Sequence, residues 1–413
     1  MNDLAWFLVG ALVKSIIAIV ALLTAFAYMT LIERRVIARF QRRVGPNRAG
    51  PFGILQPLAD ALKMGFKEEI LPTNASRIAF LIAPAISVVV ALTAFAVVPL
   101  GGTTAWGNTS IAKAWAPYVA DLNVGVLYIF AIASLAVYGI VLAGWSSGNR
   151  YSLLGALRSA AQMVSYEVSI SLAIVGVLMF AGTLNMIGIV HAQVNQGIWF
   201  ILAQPLGFLL YGIAAVAEVN RAPFDLPEAE QELVAGYLTE FSGLRWSLFQ
   251  MAEYINMITA SSVVATLFFG GWTLGSLDGV FGLPFIWYFI KVAFFLFVFI
   301  WLRATLPRIR YDQLMRFGWQ VLLPLAVLNA LVTAAVVAFG LAWWVSGLIS
   351  LGILFVAGVV YYARARRRQP VSVDVTGAVI PMPSSVRLVS GMPAGTSMSD
   401  GQESSVSANT GVN

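Results

Sequence analysis

The chain of 413 residues contains no cysteine and a single histidine, His191. Without cysteine there is no disulfide framework, no thiolate zinc site and no cysteine-held iron–sulfur cluster. One histidine cannot serve a multi-haem cytochrome, which needs histidines on several helices. Any electron chemistry must therefore occur on a partner or on a diffusible molecule. Charge is scarce as well. Only 11% of residues are charged, against roughly 25% in soluble domains, and this excludes a soluble multi-domain enzyme. The net charge of +6 would suggest nucleic acid in a soluble protein. Here the basic residues flank apolar runs, so they point to a membrane surface and not to nucleic acid. The first apolar run is too long for a signal-peptide core and lacks a small-residue cleavage pattern.

What the chain has in abundance is apolar sequence, 59% of residues. A helix crosses the hydrocarbon with about 20 mostly apolar residues. Runs of that kind occupy 4–32, 78–100, 124–143, 168–190, 198–217, 254–274, 284–302 and 321–341, and another, 345–362, follows after a very short turn. The expected fold is an all-α polytopic membrane protein of eight spans plus a ninth. With the N-terminus outside, the inner connections are 33–77, 144–167, 218–253, 303–320 and the tail from 363. They hold 22 of the 25 Lys and Arg residues, which fixes this orientation by the positive-inside rule. No fixed-period repeat is visible. Residues 363–413 are rich in Ser, Gly, Pro and Val and read as a disordered cytoplasmic tail.

The first inner connection opens with Glu33-Arg34-Arg35 and Arg39, Arg42 and Arg43, a basic cluster of the kind that snorkels to lipid phosphates. Gly45-Pro46-Asn47-Arg48-Ala49-Gly50-Pro51 specifies a loop path. Leu55, Leu58, Ala59, Leu62 and Phe66 then recur at helical spacing, with Gln56, Asp60, Lys63 and Lys67 opposite. This helix is too short and polar to span and should lie in the interface, as an anchor or as the lip of an opening for a lipid-soluble molecule.

The connection 218–253 inverts the usual charge. Glu218, Asp225, Glu228, Glu230, Glu232, Glu240 and Glu253 stand against Arg221 and Arg245. Asp225-Leu226-Pro227-Glu228 reads as a capping box with Pro in the first turn, which accounts for Asp225 and Glu228 and partly for Glu230. It leaves the other acids unexplained. Crowded carboxylates near lipid repel one another and lose solvation, both of which favour the protonated form, as a proton relay requires. A helix starting near Ser152 carries Glu167 one or two turns inside the membrane edge. Lys291 lies near the middle of the seventh run and calls for a carboxylate or water. Lys14 is nearer an end, where snorkelling explains it, and His191 sits at an outer helix end.

Several of these strings resemble one family. They are Glu33-Arg34-Arg35, the Gly45–Pro51 loop, Gln56-Pro57-Leu58-Ala59-Asp60, Ala217-Glu218-Val219-Asn220-Arg221-Ala222-Pro223-Phe224-Asp225-Leu226-Pro227-Glu228-Ala229-Glu230, Arg303-Ala304-Thr305-Leu306-Pro307-Arg308 and Arg310-Tyr311-Asp312-Gln313-Leu314. The chain resembles the quinone-site membrane subunit (the H subunit) of bacterial respiratory complex I, over about residues 5–340. The resemblance implies an eight-helix membrane domain of that type at 1–341, an additional helix at 342–362 and the tail at 363–413. It implies a part in proton-translocating NADH–quinone oxidoreductase with no redox centre on this chain. The substrate would be a quinone, menaquinone or ubiquinone. FMN and iron–sulfur clusters would sit on partner subunits. The partners would be the peripheral quinone-site subunits and the adjacent membrane-arm subunits. Carried to matching positions, Arg34, Asp60, Lys63, Phe224 and Glu228 would line the quinone path. Glu167, Glu218, Glu230, Glu232 and Glu253, with Glu240 and Lys291 beside them, would form the proton path. Two other readings fit the pattern less well. One is the homologous membrane component of a membrane-bound hydrogenase. The other is a proton-coupled secondary transporter, against which stand the acids' position in an inner loop and the lack of visible paired broken helices.

Overall fold

The computed structural model describes residues 3–101, 117–225, 235–273 and 284–367, and among these every regular element is helical. The chain forms two compact units, Met1–Val359 and Val360–Asn413. The first begins with α1 (Asp3–Phe40) and the short α2 (Gln56–Gly65), followed by α3 (Arg77–Phe95), α4 (Gly125–Ser146), α5 (Arg150–Ala181) and α6 (Met186–Gln196). Next come α7 (Pro205–Glu218), α8 (Gly243–Phe268), α9 (Pro284–Thr305), α10 (Tyr311–Phe317), α11 (Leu323–Ala338) and α12 (Trp343–Arg367). Among the described residues eight segments are long and apolar enough to cross a membrane, with α10 and α11 joined into one of them, and α7 is a shorter apolar helix. The protein is thus a multi-pass, all-helical membrane protein.

The sixth span, expected at 254–274, starts already at Gly243 and ends at Phe268, and four further boundaries shift for identifiable reasons. First, α1 does not stop at residue 32 but stays helical to Phe40, so its last turns carry Glu33 and Arg34. Second, the fourth span was expected at 168–190. Instead α5 starts at Arg150, where Asn149 caps it by accepting from the Tyr151 amide, and ends where Gly182 turns left-handed at φ 66. The apolar pattern runs on, but into a separate helix, α6, capped by Asn185. Third, the run 198–217 is not one helix. The backbone leaves helical geometry at Gln204 (φ −134, ψ 55), and α7 begins at Pro205, which has no N–H to continue a ladder. A broken helix is therefore present that the sequence pattern hid. Fourth, the eighth span begins at Tyr311 instead of 321 and passes through a π-turn at Gly318–Leu322 just before Pro324.

Packing is close wherever glycine meets a neighbouring helix. A Cβ on Gly139 of α4 would come within 2.3 Å of Ser87 Oγ on α3. One on Gly155 of α5 would come within 2.5 Å of the Gly236 backbone. Small residues at such crossings are the usual device for helix association in lipid. Residues 343–359 of α12 belong to the same unit. They dock through Ser346, Gly347 and Ser350 beside a wholly buried polar group in which Gln204 donates to Thr333 and Ser346, and Asn329 donates to Gln204. The helix continues to Arg367, five residues beyond the expected end at 362. Residues 368–413, read above as a tail, lie outside the described residues.

Candidate functional site

The interfacial helix is built as its periodicity predicts. Its apolar residues are exposed, Leu58 at 59% and Phe66 at 88%. Its polar side faces α1, where Arg34 donates to Asp60 at 2.7 Å and Gln56 steadies the same carboxylate at 3.0 Å. Lys63 lies exposed one turn further along. The sequence-predicted Arg34 and Asp60 thus meet, and the helix is held polar side to α1, apolar side outward.

Immediately before Arg34, Glu33 points inward and is buried. Arg221 bridges it (3.3 Å) to Glu253 (2.6 Å), Arg303 makes a close contact with the same Glu33 carboxylate, and the Arg221 guanidinium lies 4.1 Å over the Tyr254 ring. This cluster ties α1, α8, α9 and the start of the acidic connection together. The sequence reading placed Glu33 in a surface cluster and assigned no role to Arg303. Both lie in strings that carry the family resemblance, but nothing in the sequence pairs one with the other. Asp225 pairs with Arg308 at 3.1 Å, so part of the acidity of 218–253 is balanced by an arginine arriving from elsewhere. The expected capping box runs through Glu228 and, with Glu230 and Glu232, lies outside the described residues.

The short stretch between Ala217 and Asp225 is fixed by one face of α5. Gln162, fully buried, donates to the carbonyls of Ala217 (2.8 Å) and Phe224 (2.9 Å). One turn earlier Ser159 receives a bond from Asn220, and one turn later Tyr166 donates to the Leu314 carbonyl and sets its ring 6.2 Å from that of Phe224. Phe224 is therefore a buried residue on the inner side of this clamp. Neither Gln162 nor Tyr166 was singled out as a site residue, since a glutamine and a tyrosine on an apolar face carry no motif.

Two small cavities run inward from the arginine cluster. One, of about 40 Å³, is lined by Glu253, Asn220, Glu218 and Asn256. The next, of about 50 Å³, is lined by Glu218, Asn256, Thr259 and Tyr211. At roughly 10–15 Å³ per water, each has room for a few water molecules beside these polar groups, the rest of its wall being apolar. Glu218 borders both and lies within electrostatic range of Glu167 on α5. Glu167 in turn receives a hydrogen bond from Ser134 of α4. The structure thus brings Glu253, Glu218 and Glu167 into one polar file flanked by helices.

Two members of the expected proton path sit apart. Glu240 accepts from Asn149 at 2.8 Å, at the N-terminus of α5, where a carboxylate complements the helix dipole. Lys291 donates to the carbonyls of Phe269, Gly271 and Thr273 at 2.6–2.9 Å. Its ammonium thereby pins the turn that follows α8 (Gly243–Phe268) against α9. Among the described residues no group of three His, Cys, Asp or Glu could hold a metal ion.

The NADH dehydrogenase family profile matches residues 13–334. The NADH-quinone oxidoreductase H subunit of Deinococcus deserti is 52% identical over 358 residues, covering 85% of this chain and 90% of that protein. NADH-quinone oxidoreductase subunit 8 of Thermus thermophilus is 54% identical over 350 residues, covering 84% and 93%. The corresponding H subunit of Thermomicrobium roseum is 54% identical over 328 residues, covering 78% and 94%. With the family profile matched over most of the chain and relatives at 52–54% identity covered over nearly their whole length, the protein belongs to the H-subunit family of NADH-quinone oxidoreductase and is a membrane subunit of that enzyme complex.

Proposed function

We propose that this chain forms the portal and part of the chamber through which quinone reaches its reduction site, and that its carboxylates couple that reduction to proton movement. The observation that carries the reading is the file from Glu33, Arg221 and Glu253 through two water-sized cavities to Glu218 and Glu167. The portal lies between α1 and α2, where Arg34, Asp60 and Lys63 present a polar rim above the lipid-facing side chains of α2. Phe224 and Glu228 contribute to the chamber wall, and Glu230 and Glu232 belong to the same carboxylate path. FMN and iron–sulfur clusters on partner subunits deliver the electrons. This chain binds no redox group and holds the quinone, menaquinone or ubiquinone, against them.

Reduction of a quinone takes up two electrons and two protons. A change in charge at the chamber wall acts across the low dielectric of the helix bundle on the nearest carboxylates, where electrostatic terms are far stronger than in water. Arg221 is placed to transmit that change, because it pairs Glu33, next to the portal, with Glu253 at the mouth of the first cavity. Glu218 then exchanges a proton with the water file, and Glu167 relays it between α4 and α5. Glu240, on Asn149 at the start of α5, and Lys291, on the turn after α8, stand at the flanks of this path. The N-terminus faces outward and the C-terminal tail inward.

The test is Glu218→Gln in the assembled complex. Gln keeps the shape and hydrogen-bonding capacity and removes only the titrating group. Quinone reductase turnover should fall at least tenfold while NADH oxidation by ferricyanide, which never reaches this subunit, stays unchanged. Full quinone turnover would refute the reading.

A further inference from the structure

We propose that a groove along the N-terminal half of α1 binds one anionic phospholipid, with its phosphate on the Lys14 ammonium and one acyl chain laid over Ala18, Ala21 and Ala25. The groove has a volume of about 290 Å³ and is almost wholly apolar apart from Lys14 and Tyr118 at one end. Ala18, Ala21, Leu22 and Ala25 form its floor on a single face of α1, and Phe95 and Phe289 close its sides.

Its depth in the membrane follows from helix geometry. Lys14 precedes Glu33 by 19 residues, about 28 Å along α1 at 1.5 Å per residue, close to the hydrocarbon thickness of about 30 Å. With Glu33 anchored at the level of Arg221 and Arg303, Lys14 stands at the opposite boundary, at the height of lipid phosphates. From Lys14 to Ala25 the groove descends about 16 Å, the depth of one leaflet.

Its calibre selects the occupant. A volume of 290 Å³ spread over that length gives a cross-section of about 18 Å², whereas a helix 10 Å across needs about 80 Å². One hydrocarbon chain fits and a partner's helix does not. The charge agrees. Lys14 Nζ lies 5.3 Å over the Tyr118 ring, and among the described residues no carboxylate pairs with it. An ammonium at a membrane boundary beside an apolar groove is best satisfied by an anion at the same height. Burial, and then the charge of Asp121, raise the Tyr118 phenol above its ordinary pKa, so it remains a donor for a phosphate oxygen. Asp121 itself is occupied by Asn185 at 2.5 Å.

The test uses the assembled complex in vesicles of phosphatidylglycerol and phosphatidylcholine, with a trace of either lipid carrying a photoreactive group in mid-chain. Labelled peptides are then mapped. The phosphatidylglycerol probe should label the 14–25 stretch of α1 several-fold more than the phosphatidylcholine probe does. Lys14→Leu and Ala21→Phe should each cut that labelling several-fold per assembled complex, and Lys14→Gln serves should the bulky Phe impair assembly. Equal labelling by both probes, or labelling indifferent to all three substitutions, would mean unspecific boundary lipid and overturn the proposal. So would displacement of the label by excess long-chain quinone, or a wild-type α1 that is not labelled at all.

Discussion

Arg221 is the residue on which most of the inner cluster depends. It satisfies two carboxylates from different helices while its planar face lies on Tyr254, a combination that needs the forked, stackable guanidinium. Breaking a buried ion pair by removing one partner costs about 3–5 kcal/mol. Arg221→Met should therefore lower the yield and thermal stability of the assembled complex, and Arg221→Lys should rescue it only in part, as read by the amount of complex in detergent extracts. Gln162 makes the subtler case. Gln162→Leu removes two hydrogen bonds, about 1 kcal/mol each, and frees the carbonyls of Ala217 and Phe224 without touching a charge. Assembly should persist while the apparent KM for quinone rises, and an unchanged KM with normal assembly would mean that the Ala217–Asp225 stretch holds itself in place. At this scale the sequence showed the acids and hid their partners. Glu218, Glu253 and Glu167 stood out because a carboxylate near lipid is rare. Glu33 was masked by the arginines beside it, and Arg303 and Arg308 looked like ordinary positive-inside charges until the fold brought them to Glu33 and Asp225.

Among the elements, α2 was the most legible, since ten residues of strict amphipathic spacing admit few arrangements. Its polar side lies against α1 through Asp60, which leaves Lys63 free to meet an arriving molecule. Lys63→Glu should raise the apparent KM for quinone in the assembled enzyme with ferricyanide reduction unaffected. Unaltered quinone kinetics would reduce α2 to an anchor. The breaks were the least legible feature. A run of apolar residues looks the same whether it forms one helix or two, and only Gln204-Pro205 and Gly182 with Asn185 betray the interruptions. Gln204 turns out to bridge the break to α11 and α12. Gln204→Leu should strand the polar atoms of Asn329, Thr333 and Ser346 in an apolar interior. Interhelical hydrogen bonds in membranes average about 0.6 kcal/mol each, so the expected result is a lower melting temperature of the complex with activity retained, measured by thermal denaturation.

For the molecule as a whole, the proposed orientation sets the basic connections at one membrane face, and from the acidic connection Glu253 and Glu218 lead into the bundle along the two cavities. The sequence carried this because topology depends on simple counts of Lys and Arg, whereas the cavities depend on packing among helices distant in the chain. Reporter fusions at Gly279 and Ser390 should read outside and inside, and a tail read as outside would overturn the proposed orientation. The central claim, that quinone reduction and proton movement share this file, is tested most directly with the double variant Glu167→Gln and Glu218→Gln, assembled and reconstituted in sealed vesicles, by recording the proton gradient against quinone turnover. The account predicts that both collapse together while NADH–ferricyanide activity stays at the wild-type level. Wild-type quinone turnover with an undiminished gradient would contradict it.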